Sequence, residues 1–243
     1  MNRRALLKTI IYEDDHFIAM NKPTGLLSIP DRSGNPNNAF EYLQKITGSL
    51  LIVHRIDKDT SGVLLFAKNE TAHRRMSEMF EHRTLDKRYL VLVDGMLPEK
   101  KGRIDLPINK DKSSSFKMKI SKNGKPSITE YEVIEPLGIC SLVEARILTG
   151  RTHQIRVHFK AIGHPLFIDP LYSERSEFFL SQLKNKKYRL KKDTIEWPLI
   201  HRLTLHASQL SFVHPVSNQN ILITAPLPKD MSALIHQLRK KSN

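Results

Sequence analysis

The chain of 243 residues has one cysteine, Cys140, which excludes an internal disulfide framework and any cysteine-cluster zinc or iron–sulfur site and fits a reducing compartment. No apolar run approaches the length of a membrane span. The first eleven residues are basic and then apolar, but Lys8 interrupts them, Glu13-Asp14-Asp15 follows, and no small-residue cleavage site appears, so a secretory signal is not expected. Glycine-rich phosphate loops are missing as well. There is no Gly-x-Gly-x-x-Gly, and Gly124-Lys125 is followed by Pro126 without an upstream glycine, so nucleotide cofactors lose support. The eleven histidines form no His-Glu-x-x-His arrangement, and His153 and His158, five apart, do not share a helical face. No repeat of 20–50 residues is visible, which excludes a solenoid or array. A soluble, cytoplasmic chain with no membrane partner and no metal is expected.

What is short on one side is abundant on the other: 25 Asp plus Glu stand against 39 Lys plus Arg, a formal charge of +14. A field of that sign favours polyanions, and for a protein of otherwise ordinary composition the commonest polyanion is nucleic acid. The charge is locally dense. Lys110, Lys112, Lys117, Lys119, Lys122 and Lys125 flank Ser113-Ser114-Ser115, while Lys184, Lys186, Lys187, Arg189, Lys191 and Lys192 surround Tyr188. Such clusters look more like phosphate contacts than a merely solvated basic surface, the bland alternative.

With 40% hydrophobic residues the chain can bury a core, and residues 1–243 are expected to form one compact domain. Strand-like patterns occupy Phe17–Asn21, Leu50–Val53, Gly62–Ala67, Arg88–Val93, Thr129–Glu135, Leu142–Leu148, Leu203–Phe212 and Asn220–Thr224. Helical periodicity marks Thr71–Phe80, Thr152–Ile162 before a stop at Gly163, and Met231–Arg239. Asn69 matches a glycosylation pattern but reads better as a helix start. Many strands and few helices, without regular alternation, predict an α+β fold with a mostly antiparallel mixed sheet rather than a doubly wound dinucleotide fold.

Two polar segments carry the chemistry. In the first, His54 to Ser61 lie between apolar strands, with Asp57 flanked by Arg55 and Lys58, and the turn Asp59-Thr60-Ser61-Gly62 would project Asp57 at a strand end. A polar hairpin satisfying its own backbone is the alternative reading. In the second, Thr149-Gly150-Arg151-Thr152-His153-Gln154-Ile155-Arg156-Val157-His158 follows a strand directly. Gly150 allows a tight turn, Thr152 is the expected N-cap, and the helix N-terminus offers N–H groups to phosphate beside Arg151. Arg156 borders the apolar face of this helix, so it is expected to point inward and to require a carboxylate, for which Asp57 is the candidate. A buried salt bridge without catalytic use is the alternative there.

Together these segments resemble a known family. His-Arg-Ile-Asp-x-x-Thr-Ser-Gly-x-x-x-x-Ala-Lys at 54–68 and Thr-Gly-Arg-Thr-His-Gln-Ile-Arg-x-His at 149–158 are similar to the motifs of the RluA-type pseudouridine synthases. Asn21-Lys22-Pro23-x-Gly25, Lys87 to Gly95, and His201 to Ala207 with Phe212-Val213-His214-Pro215 extend the likeness over about residues 14–228. The resemblance implies a pseudouridine synthase fold with a central RNA-binding cleft, in a compact form without an N-terminal S4-like domain, acting as a monomer on RNA. It implies Asp57 as the catalytic aspartate, Tyr89 as the tyrosine that stacks on the target uracil and assists proton removal from C5, and Arg156 as the group orienting Asp57. Arg55 matches the arginine that displaces the target nucleotide, and Ile155 would be an apolar wall beside the base. His54, Thr60, Arg151, His153, Lys186 and Lys187 complete the expected RNA contacts. Where the family reads Gly-Asp and Leu-Tyr-Gly, this chain has Ile168-Asp169 and Leu171-Tyr172-Ser173, so the loop entering the 174–200 insertion is expected to differ.

The implied reaction breaks the N1–C1′ bond of uridine, turns the uracil and forms a C5–C1′ bond, with neither redox cofactor nor ATP. A carboxylate in a nearly dry pocket suits it, whether by covalent attack at C1′ or C6 or through a glycal. The base must leave its stack, which an inserted side chain and a stacking aromatic would assist. Large-subunit ribosomal RNA is the preferred target, with transfer RNA the second. Two other classes fit part of the pattern: a metal-dependent nuclease on Asp57, Asp59 and Asp169, and an RNA-binding protein without turnover.

Overall fold

The computed structural model describes residues 3–114, 116–184 and 195–242, and Lys186 and Lys187 lie outside them. The elements run α1 (Arg3–Leu7), β1 (Ile10–Glu13), β2 (Phe17–Lys22), α2 (Ala39–Thr47), β3 (Leu51–Ile52), β4 (Ser61–Ala67), α3 (Glu70–His82) and β5 (Asp86–Asp94). They continue with β6 (Lys101–Asp105), β7 (Ile108–Lys110), β8 (Met118–Ile120), β9 (Ile128–Pro136), β10 (Cys140–Ile147) and α4 (Gln154–Ala161). The chain closes with α5 (Leu180–Lys184), β11 (Leu205–Val213), β12 (Asn220–Thr224) and α6 (Lys229–Ser242). This is an α+β protein whose strand pairs are mostly antiparallel, made mixed by the parallel pairing of β4 with β11.

Backbone contacts divide the chain into two compact units: Met1–Tyr89 with Arg146–Thr149 and His206–Pro226, and Leu90–Ala145 with Gly150–Leu205 and Leu227–Asn243. The first unit is built on β2 and β4, paired antiparallel from Phe17↔Ala67 to Lys22↔Gly62. Successive side chains of a strand point to opposite faces, and both faces here are apolar. Phe17, Ala19, Val63, Leu65 and Ala67 pack with Ala72 and Met76 of α3, while Ile18, Met20, Leu64 and Phe66 pack with Ala39 and Leu43 of α2. Covering on both sides explains why these strands read as continuous apolar runs. Asn69 caps α3, its side chain accepting the Ala72 N–H at 2.9 Å, as expected from its place before the periodic segment.

In the second unit α6 lays Met231, Leu234, Ile235 and Leu238 against Leu142, Phe167, Ile168 and Cys140. Burial pushes the Cys140 thiol up to about 12, so it packs as a small hydrophobe and is not nucleophilic at neutral pH. A smaller cluster joins Ile108 of β7, Met118 and Ile120 of β8, Val157 of α4 and Tyr172. Helix α4 stops where expected, with Gly163 at φ +84° just beyond it. Its start differs from expectation. The N-cap is His153, in the left-handed region at φ 55°, and no side chain caps the helix. Thr152 is not needed as a cap because Gln154 braces the turn from inside, accepting the Arg151 N–H at 3.1 Å and donating to Ile128 O at 2.9 Å.

Candidate active site

In the first unit, the segment between β3 and β4 is held as a fixed turn. The Thr60 N–H donates to Asp57 O at 3.1 Å, and side chains from residues 22–28 grip the turn's backbone. Ser28 Oγ donates to Ile56 O at 2.6 Å and accepts the Ile56 N–H at 3.2 Å. Thr24 Oγ1 donates to Asp59 O at 2.7 Å. Lys22 is fully buried, and its Nζ donates to Pro23 O at 3.0 Å, Leu26 O at 2.7 Å and Lys58 O at 2.8 Å. A buried ammonium is tolerated only with such satisfaction. The turn ends at Gly62, where φ is +114° and a Cβ would sit 2.1 Å from Ala207 O. Only glycine permits β4 to approach β11 this closely.

Beneath the turn, His54 stacks on Phe80 at 4.9 Å between centroids, and its Nε2 lies 2.9 Å from the Leu65 nitrogen. An amide N–H can only donate, so Nε2 carries the lone pair and the ring is the neutral Nδ1–H tautomer. Burial, with the Lys87 charge, pushes its pKa down to about 3. His206 is held at both ring nitrogens. Its Nε2 donates to Ala225 O at 3.1 Å, and its Nδ1 lies 2.9 Å from Ser61 Oγ, the first residue of β4.

This scaffold leaves Asp57 half-buried and Arg55 exposed at the turn's surface. Tyr89, half-buried on β5, has its hydroxyl pushed well above the ordinary phenol range by burial and then by the Asp57 charge. The phenol is therefore protonated at neutral pH, a ring and a donor rather than a phenolate base. Thr60 is buried and serves the turn, and His54 faces the interior, so neither presents itself to a ligand as Arg55 does.

The second unit holds the other polar segment. Arg156, on α4, is 2% exposed, as its place beside the apolar face requires. It engages Asp169, which is fully buried, through a two-pronged contact: Nε to Oδ2 at 2.8 Å and Nη2 to Oδ1 at 2.6 Å. The carboxylate that Arg156 engages within its own unit is thus Asp169, contributed by the loop where the sequence departs from the family pattern. Asp169 Oδ1 also accepts the Leu171 N–H at 2.9 Å and the Tyr172 N–H at 3.2 Å, fixing that loop. The Arg156 guanidinium lies 5.0 Å over the Tyr172 ring. The Tyr172 hydroxyl accepts the Met118 N–H at 2.7 Å and lies 2.8 Å from His153 Nδ1. Arg151 is half-buried with Nε on Pro126 O at 3.3 Å, and Ile155 is buried.

No group of three or more His, Cys, Asp or Glu side chains suited to a metal occurs among the described residues, and Asp169, the third carboxylate of the nuclease reading, is committed to Arg156. No helix among the described residues is long and apolar enough to cross a membrane. The grip of Lys22, Thr24 and Ser28 on the Asp57 turn was not visible in the residue pattern. The signal in the sequence was the motif Asn21-Lys22-Pro23-x-Gly25 closing a strand that is apolar from Phe17 to Met20.

Within the first unit, then, a buried-lysine clamp holds the Asp57 turn, and the protonated Tyr89 feels the Asp57 charge. Residues 16–161 match the family of RNA pseudouridylate synthases, and the chain belongs to it, as an RluA-type RNA pseudouridine synthase. It is 36% identical to ribosomal large subunit pseudouridine synthase D of Zymomonas mobilis over 94% of this chain and 72% of that one. It is 37% identical to synthase C of Vibrio vulnificus (95% and 69%), and 38% identical to the uncharacterized RNA pseudouridine synthase YlyB of Bacillus subtilis (95% and 73%). Among solved structures, human RNA pseudouridylate synthase domain containing 1 superposes with a TM-score of 0.71 at 26% identity, covering 95% of this chain and 94% of that one.

Proposed function

We propose that this synthase isomerises uridine in large-subunit ribosomal RNA, with Asp57, Tyr89 and Arg156 as its catalytic groups. The observation that carries the site is the turn at Asp57: four backbone groups of Ile56, Lys58 and Asp59 are held by three side chains from outside it. Such bracing is the positioning expected of a group that must meet a reacting carbon within a fraction of an ångström. The names of the relatives, large-subunit synthases C and D, favour that RNA over transfer RNA.

In this reading the Asp57 carboxylate acts at the reacting nucleoside as the N1–C1′ bond breaks. Tyr89 stacks its neutral ring on the uracil, and because the phenol holds its own proton it does not act as a phenolate base at C5. Arg55, exposed on the turn, displaces the target nucleotide, and Arg156, its fork oriented by Asp169, supplies the positive charge that balances the carboxylate. His54 and Thr60 act behind the turn. The enzyme works as a cytoplasmic monomer without cofactor.

The test is tritium release from 5-tritiated uridine in unmodified large-subunit ribosomal and transfer RNA, with EDTA present, comparing wild type with Asp57→Asn. Release from ribosomal RNA by the wild type alone is expected, with RNA affinity of the variant within a few-fold. Release only from transfer RNA would refute the substrate, and equal release by Asp57→Asn would refute the site.

A further inference from the structure

One aromatic of the second unit stands out by its exposure beside a lysine cluster. Phe116 is 77% exposed at the tip of the β7–β8 hairpin. Placing a phenyl ring in water sacrifices its burial, and large exposed aromatics in polar surroundings mark contact sites. Its surroundings name the partner. Residues 108–125 contain six lysines against one acidic residue, Asp111. Asp111 neutralises only part of this, through Lys119 at 3.3 Å, and Lys110, Lys112, Lys122 and Lys125 stand exposed.

The base of the hairpin is hydrogen-bonded on both sides of β7, and its tip is exposed. β7 is bonded on one side to β8, from Ile108↔Ile120 to Lys110↔Met118, and on the other to Lys125, whose N–H donates to Ile108 O at 2.8 Å. Gly124 allows that second contact, because a Cβ there would lie 2.6 Å from the Ile108 carbonyl carbon. At the tip, the Asp111 carboxylate accepts the Ser113 N–H at 3.1 Å, and the Asp111 N–H closes the loop on Lys117 O at 2.9 Å. The hairpin is also tied to the arginine site, since the Met118 N–H, two residues from Phe116, donates to the Tyr172 hydroxyl beneath Arg156.

We propose that the β7–β8 hairpin is an RNA-binding element in which Phe116 stacks on an unpaired base while the surrounding lysines hold the flanking phosphates. An aromatic ring within a lysine cluster is the combination that grips single-stranded nucleotides without reading their sequence. A second copy of the chain fits less well, because two lysine-rich tips repel. The inference rests on the reading of this protein as a ribosomal RNA modifier but concerns a surface that chemistry at Asp57 does not use.

The experiment measures binding of a large-subunit ribosomal RNA transcript and tritium release from it for wild type, Phe116→Ala, Phe116→Trp and the Lys112→Gln/Lys117→Gln pair. Loss of one base–aromatic stack predicts that Phe116→Ala raises Kd and KM about five- to a hundredfold, leaves kcat within about twofold, and keeps the wild-type salt dependence. Phe116→Trp restores affinity, and the lysine pair shallows the salt dependence by one to two ion equivalents. Unchanged affinity in Phe116→Ala, beside an active wild type, overturns the inference and leaves the proposed function standing. Affinity that depends on Phe116 without tritium release from any RNA supports the stack and overturns the function. Self-association of the RNA-free wild type that Phe116→Ala abolishes, with RNA affinity unchanged, assigns the ring to a protein contact and overturns the inference.

Discussion

Asp169→Asn tests the site where the structure departs furthest from local pattern. The substitution keeps size and shape, and the amide oxygen can still accept from Leu171, Tyr172 and Arg156 Nη2, as Oδ1 does in the wild type. The amide NH2 then replaces Oδ2 and faces the Arg156 Nε–H, donor against donor, in place of a contact at 2.8 Å. A guanidinium that is 2% exposed loses the charge of the carboxylate that grips it. Breaking one side of such a buried pair costs about 3–5 kcal/mol. For a chain of this length each kcal/mol moves the melting temperature by about 2–4 °C, so a fall of about 6–20 °C is expected. Calorimetry reads the shift, and tritium release falls with it because the arginine loses its orientation. Arg156→Met combined with Asp169→Leu removes both charges together and should cost about 2–3 kcal/mol less than the sum of the single changes. A melting temperature within 2 °C of wild type for Asp169→Asn, or strict additivity in the cycle, would refute the account of the pair.

Two further outcomes follow from the first unit. The folded His54 ring is held down to about 3 while the unfolded side chain titrates near 6.5, so between those values only the unfolded chain binds the proton. Stability from this residue is complete above about pH 6.5 and lost as pH falls toward the folded value, by up to about 1.4 kcal/mol per pH unit. In urea unfolding, His54→Gln, whose amide oxygen can accept the Leu65 N–H, should lie below wild type at pH 7 and converge on it by pH 4.5, whereas a constant gap contradicts the neutral assignment. Gly62→Ala places a methyl group 2.1 Å from Ala207 O on a backbone at φ +114°, for which a loss above about 3 kcal/mol is expected. A soluble variant with wild-type thermal stability would show that the close approach of β4 and β11 is not required.

Much was legible along the chain. Strand and helix periods marked most of the core elements, because an apolar stripe recurs at the element's own period wherever one face is buried. Asn69 and Gly163 announced helix ends, since caps act through neighbours three or four residues away. The motifs around Asp57 and Arg156 identified the chemistry. The short hairpin β7–β8 was hidden by its polarity and read only as a lysine-rich loop, and α2 went unmarked.

The tertiary structure decided everything that depends on partners distant in sequence. Arg156 was readable as an inward cation needing a carboxylate, but the choice of Asp169 comes from the fold, which brings a loop thirteen residues on against the face of α4. Lys22 stands out along the chain only as part of a motif, Asn21-Lys22-Pro23-x-Gly25, and it is the fold that buries it and brings its ammonium to carbonyls of two loops. Thr152 has the composition of an N-cap and loses the position to His153 because Gln154 already satisfies the turn. The sequence by itself determined residue types, periods and turn chemistry, all local in range. Which donor meets which acceptor was set by packing, because a buried polar group takes whatever partner the surrounding elements bring within 3 Å.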